Sequence, residues 1–161
     1  MRARSALAIA AVETFLGGGA VPLSDDVVAE GLGTATSPGR LQRIGADPTV
    51  IVDAAHNPHG AAALAAALTA YFDFDEWVVV LGILADKDVH GIVAELAPIA
   101  TRFVVTRSSS DRAIAVDELA ARVAEVAPDE SVTTVDDLRE ALDIARGWAA
   151  ESPRRAVVVA G

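Results

Sequence analysis

The side chains best suited to chemistry are Arg40, Asp53, His56, Asn57 and Lys87, and the middle three crowd into a single turn. A carboxylate, an imidazole and a carboxamide give that turn groups that ionise and groups that hydrogen-bond. They follow Val50-Ile51-Val52, an uninterrupted β-branched run that reads as a strand buried on both faces of a parallel sheet. Asp53 then stands at the strand's carboxyl end. Asn57 is a good helix N-cap and Pro58 a good first helical residue, because proline's missing N–H costs nothing there. A helix is therefore expected from Pro58 to about Tyr71. The intervening loop lies where open α/β sheets bind ligands, beyond a strand end and beside unpaired helix N–H groups.

Each candidate has a chemical reading and a plainer one. Arg40 follows the Pro38-Gly39 turn, and its rigid guanidinium fork suits phosphate oxygens; the alternative is a surface arginine on an edge strand. Asp53 can accept two hydrogen bonds from a ribose diol, or it can serve as a helix-entry cap or loop ion pair. Capping alone explains Asn57. Lys87, in Ala85-Asp86-Lys87-Asp88, follows the next strand and faces the same crevice; its alternative is an exposed pair with Asp86 or Asp88. Asp53, His56 and His59 lack any metal-ligand spacing signature, so no metal site is expected here.

The elements that must position these groups alternate. Strands are expected at 40–44 (an edge), 50–53, 77–83, 102–106, 131–135 and 156–160. Helices are expected at 58–71, 89–99 and 117–126, and after a cap at Asp136 or Asp137, with Leu138, Leu142, Ala145 and Trp148 at helical spacing. Such alternation implies right-handed crossovers. The expected fold class is α/β, a Rossmann-like, mostly parallel sheet with helices on both faces. Ahead of it, a helix from Ala3 to Leu16 with Leu7, Val12, Phe15 and Leu16 inward should stop at Gly17-Gly18-Gly19. A shorter one should run from a cap at Ser24 to about Gly31–Gly33, followed by a linker to Gly39. The expected division is 1–36 for helices and linker and 37–161 for the domain.

With 23 acidic against 13 basic side chains and a net charge of -10, the composition disfavours nucleic acid and anionic membrane surfaces as partners. The absence of cysteine excludes disulfides and fits a cytoplasmic protein. Met1-Arg2-Ala3-Arg4 and the apolar run after it look like a secretory signal, but Glu13 and Thr14 interrupt the run too early.

Ser37-Pro38-Gly39-Arg40-Leu41-Gln42, a short spacer and Val52-Asp53-Ala54-Ala55-His56-Asn57-Pro58 together resemble the signature of folylpolyglutamate synthases and dihydrofolate synthases. These are Mur-ligase-type enzymes, and the resembling part begins their C-terminal domain. The resemblance implies a ligase in which ATP phosphorylates the γ-carboxylate of a folate and the amine of L-glutamate attacks the acyl phosphate, with dihydropteroate as a further acceptor. It implies that Arg40, Asp53 and Asn57 bind the nucleotide, and that His56 contacts the glutamate or the reacting phosphate as the catalytic candidate. It further implies that Lys87 meets a carboxylate of the amino acid. In that family the Walker-type glycine loop, the Mg2+ ligands and the folate pocket lie in a large upstream ATPase domain, and Gly17-Gly18-Gly19 matches no such loop.

Residues 1–36 would then close the ATPase domain, and the family normally continues with Gly-Ser after the last strand, so the chain looks clipped at both ends. It is expected to be inactive without the upstream domain. Gln42 stands where glutamate is more usual, and Arg112-Ala113 matches the family with a positional role. Two alternatives stay open: a peptidoglycan Mur ligase, and a free-standing nucleotide-binding module without catalysis.

Overall fold

The computed structural model describes residues 2–128 and 131–161 as two compact units, one ending at Ser37 and the other beginning at Pro38. Met1, part of the signal-like start, lies outside the described residues. No described helix is long and apolar enough to cross a membrane.

The first unit holds α1 (Arg2–Gly17) and α2 (Asp25–Thr34). Gly18 and Gly19 close α1 in the left-handed region, their N–H groups donating to the Thr14 and Glu13 carbonyls. The Glu13 carboxylate accepts the Leu23 N–H at 2.9 Å. The expectation that Leu7, Val12, Phe15 and Leu16 point inward is wrong, for all of them are exposed, Phe15 by 88%. The apolar residues of α1 are spread around the helix rather than gathered in one stripe, and α2 buries none of its own. Ser24 stands at the N-cap of α2 without a side-chain capping bond, and the helix runs through Gly31 and Gly33 to Thr34.

The second unit is built from β1 (Gln42–Ala46), β2 (Thr49–Asp53), α3 (Pro58–Tyr71), β3 (Glu76–Leu81), α4 (Val89–Leu96) and β4 (Ala100–Val105). It continues with α5 (Val116–Val126), β5 (Ser131–Thr134), α6 (Leu138–Ala150) and β6 (Arg155–Ala160). The strands form one sheet in the order β1-β2-β6-β3-β4-β5, parallel throughout except for β1, which runs antiparallel to β2. Helix α4 stops short of the expected Ile99, since Pro98 cannot continue it. Strand β1 starts at Gln42, because residues 39–41 form a turn instead.

Alternation along β3 divides the core. Trp77, Val79 and Leu81 face α3, α4 and α5 together with Ile51, Phe103 and Val158, while Val78 and Val80 face α6 with Val104 and Val157. On α6 the fully buried line is Ala141, Ala145 and Ala149, with Leu142 and Trp148 flanking it and Leu138 44% exposed. Small residues let this helix approach the valine face closely. The parallel register sets Asp53, Ala160, Leu81, Val105 and Thr134 in one row. The loops that follow those strands therefore leave along one edge, and the antiparallel β1 brings residues 39–41 to the same edge.

At the opposite edge Arg154, just before β6, ties its loop to the one before β3, its guanidinium donating to Asp75 at 2.8 and 2.7 Å and to Asp73 at 2.9 and 3.2 Å. These hydrogen bonds, then the charge itself, hold both carboxyls below their ordinary value of 3.8. Lowered carboxyl values in the folded state mean that the clamp's contribution is complete above that pH and lost as pH falls through the lowered values. Arg154→Met is therefore expected to lower the unfolding temperature at neutral pH, with the difference from wild type closing as the pH falls below the ordinary carboxyl value of 3.8. Thermal unfolding followed by circular dichroism checks this, and a gap independent of pH would contradict it.

Candidate functional site

The carbonyl oxygen of Ala54, just past the end of β2, is where two of the candidate groups, Arg40 and His56, meet. Arg40 Nη1 donates to it at 3.2 Å and His56 Nδ1 lies 2.9 Å from it. These two nitrogens are thus no more than about 6 Å apart. A carbonyl can only accept, so His56 carries its hydrogen on Nδ1, which leaves Nε2 for a ligand. The same loop is stitched to the Pro38-Gly39-Arg40 turn by further bonds. Ala54 N–H donates to the Gly39 carbonyl at 2.7 Å, and Leu41 N–H donates to Asp53 Oδ2 at 2.7 Å.

That turn needs the left-handed region twice, at Gly39 (φ 67°) and at Leu41 (φ 44°). For leucine this costs about 1–2 kcal/mol. The bond to the Asp53 carboxylate and the packing of the Leu41 side chain on the core offset it. Gln42 Oε1 accepts the Gly39 N–H at 2.8 Å, a task that needs an acceptor and no charge, so an amide serves where a carboxylate is more usual. Sequence reasoning gave Gln42 no such role, because the bond closes on a main-chain group.

Asp53 is neither a helix cap nor a loop ion pair; it ties the arginine turn down with one oxygen and keeps further lone pairs for a ligand. Asn57 does cap α3, its Oδ1 accepting the Gly60 N–H at 2.8 Å, so its NH2 group is what remains for binding. His56 and Asn57 are exposed and Asp53 is half-buried.

Lys87 leaves the same edge from the loop after β3. Its Nζ donates to Asp86 Oδ2 at 2.8 Å; Asp88 is otherwise engaged, capping α4 through the Gly91 N–H. The first turn of α4 presses against the start of α3 so closely that a Cβ on Gly91 would lie 2.5 Å from Pro58 Cγ. This contact fixes the lysine loop beside the His56-Asn57 loop. Above the row of strand ends lies a crevice of about 220 Å³ whose walls include Gly39, Asp53, Ala54, Gly82, Thr106 and Arg107. Of the five candidates only Asp53 lines it; contrary to expectation Lys87 faces a separate hollow of about 330 Å³, with Asp88, His90, Arg122 and Glu125. A larger hollow of about 590 Å³ between β1 and α6 holds none of the candidates. Arg107 received no role from the sequence, though its place just past β4 was the available signal. Among the described residues no group of three His, Asp or Glu side chains comes together as metal ligands.

The sequence profile of the family described as Mur ligase, glutamate ligase domain matches residues 39–161. The chain belongs to this family. The chain is 49% identical over 140 residues to the dihydrofolate synthase/folylpolyglutamate synthase of Mycobacterium tuberculosis, covering 86% of this chain and 29% of that one. Its counterpart in Escherichia coli is 38% identical over 74 residues, covering 46% of this chain and 18% of the relative. Among solved structures, M. tuberculosis folylpolyglutamate synthase complexed with ADP and AMPPCP superposes with a TM-score of 0.88 at 46% identity, over 96% of this chain and 36% of that one. E. coli FolC in complex with DHPP and ADP gives 0.83 at 27% identity, over 98% and 35%. The chain thus spans less than a third of the curated relatives it matches.

Proposed function

We propose that this Mur ligase domain is the glutamate-side half of an ATP-dependent ligase that adds L-glutamate to a tetrahydrofolate through an acyl phosphate, with dihydropteroate as a second acceptor. The observation that carries it is the meeting of Arg40 and His56 on one carbonyl, with Asp53 holding the turn between them. ATP supplies the phosphoryl group that activates the acceptor's carboxylate. Toward the nucleotide, the Arg40 fork suits phosphate and the free lone pairs of Asp53 suit a ribose diol. The Asn57 NH2 group is a further donor. His56 Nε2 faces the glutamate or the reacting phosphate, and Lys87 offers an ammonium to a substrate carboxylate.

A crevice of about 220 Å³ is too small to enclose a nucleotide, since pockets for such ligands run to roughly 300–1,000 Å³. The domain accordingly covers a ligand held by an upstream ATPase domain, to which residues 1–36 belong and which supplies the Mg2+ ligands. The relatives' names and their nucleotide complexes support this reading, and it puts the enzyme in the cytoplasm. A peptidoglycan ligase has no specific observation in its favour.

In the full-length enzyme, ADP release is expected to require both L-glutamate and tetrahydrofolate or dihydropteroate, whereas the isolated chain hydrolyses no ATP. Glutamate-independent ADP release, or an ATPase in the isolated chain, would count against the reading.

A further inference from the structure

Helices α3 and α4 start in the same way. Asn57 caps α3 by accepting the Gly60 N–H at 2.8 Å, and Asp88 caps α4 by accepting the Gly91 N–H at 2.9 Å. Both donors are glycines at the third helical position, yet their surroundings differ. A Cβ on Gly60 would meet nothing closer than 3.4 Å, an ordinary contact, and one on Gly147 in α6 would meet nothing within 4 Å. On Gly91 it would lie 2.5 Å from Pro58 Cγ and 2.5 Å from Asp88 Oδ2. The carboxylate oxygen ends a side chain and can turn aside. The Pro58 ring cannot, because it is closed on its own backbone, in the first turn of a helix that Ala61, Leu64 and Leu68 anchor in the core.

We infer that Gly91 is a positioning residue of the ligase: having no side chain, it seats the first turn of α4 on the Pro58 ring and so fixes the Lys87 loop against the His56-Asn57 loop. This rests on the reading above, in which those loops serve the amino acid and the reacting phosphate, and it names what sets the distance between them. Pro58 follows His56 and Asn57 directly. The first turn of α4 follows Lys87 and Asp88, and its Val89 and His90 line the hollow that Lys87 faces.

A Cβ at 2.5 Å must retreat to at least 3.0 Å, so a methyl on Gly91 would part the two turns by about half an ångström or more. An offset of about 1 Å costs about 100-fold in rate, so half of it should cost about tenfold. Helix propensity points the other way, since alanine is the better helix former. A loss of activity in Gly91→Ala therefore has to come from the contact. Arg40 and Asp53 stand apart from it, bonded to Ala54 and Leu41.

The test measures ADP release by the full-length enzyme with varied L-glutamate and varied ATP. Gly91→Ala is expected to lower kcat/KM for glutamate about tenfold or more, with the KM for glutamate raised and the KM for ATP unchanged. Gly60→Ala, the same change at the same place on the neighbouring helix, should match wild type. In Pro58→Ala/Gly91→Ala the ring is gone and the methyl fits, so the glutamate KM should return to that of Pro58→Ala. That comparison decides alone if Gly91→Ala fails to fold. Wild-type kinetics in Gly91→Ala would overturn the inference and leave the reading intact. So would a fall in kcat with both KM values kept, the mark of a smaller folded fraction, a loss that Pro58→Ala does not relieve, or an equal loss in Gly60→Ala. Wild-type ADP release indifferent to glutamate would sink both.

Discussion

Replacing Arg40 by alanine in the full-length enzyme is expected to lower kcat for glutamate-dependent ADP release by roughly 100- to 1000-fold, while the domain's unfolding temperature barely moves. The two halves of this expectation come from different observations. For stability, the guanidinium is exposed and makes one hydrogen bond, to Ala54 O at 3.2 Å; an exposed bond of that kind contributes about 1 kcal/mol or less. The turn itself is held by Leu41 N–H on Asp53, Ala54 N–H on Gly39 and Gln42 on Gly39, none of which uses the side chain of residue 40. For activity, a preorganised cation beside a transferring phosphoryl group is worth several kcal/mol, because its placement is settled before the charge develops. Arg40→Lys should fall between, keeping the charge and losing the fork. Steady-state kinetics with varied ATP, set beside thermal unfolding, checks both halves. An alanine variant with wild-type kcat would remove Arg40 from the nucleotide site.

What the sequence made legible divides along the same line between side chains and main chain. The runs Val50-Ile51-Val52, Val78-Val79-Val80 and Val157-Val158-Val159 mark buried parallel strands unmistakably, and Asn57-Pro58 marks the start of α3, because these signals are local. The insertion of β6 between β2 and β3 is a matter of pairing between distant segments, and no local pattern records it. On α6 the large apolar residues carry the visible helical pattern, yet alanines four residues apart face the sheet, since close packing rewards small side chains there. The candidate residues were findable by type and spacing. Their meeting point was not, because Ala54 contributes a carbonyl that every residue possesses. The left-handed Leu41 was hidden for a related reason: a glycine would have announced the conformation, and leucine is retained where its side chain packs on the core.

Asp53→Ala is the substitution expected to damage both stability and catalysis. Its carboxylate accepts the Leu41 N–H at 2.7 Å, a charge-assisted bond that offsets a strained backbone. Losing it from a half-buried position should cost about 1–2 kcal/mol. Activity should fall by more than the roughly 100-fold expected for a lost ribose contact alone, since the freed turn no longer fixes Arg40 against Ala54. Asp53→Asn separates the two duties. An asparagine Oδ1 can still accept from Leu41, so stability should return to within about 0.5 kcal/mol of wild type, while the loss of charge leaves nucleotide binding impaired. If the asparagine variant recovers both stability and the KM for ATP, the residue acts as a tie and touches no nucleotide. If the alanine variant keeps its stability but loses ATP affinity, the bond to Leu41 is incidental and the ligand role stands alone. Wild-type behaviour of both variants would take Asp53 out of the site, and with it the reason for the left-handed turn that aims Arg40.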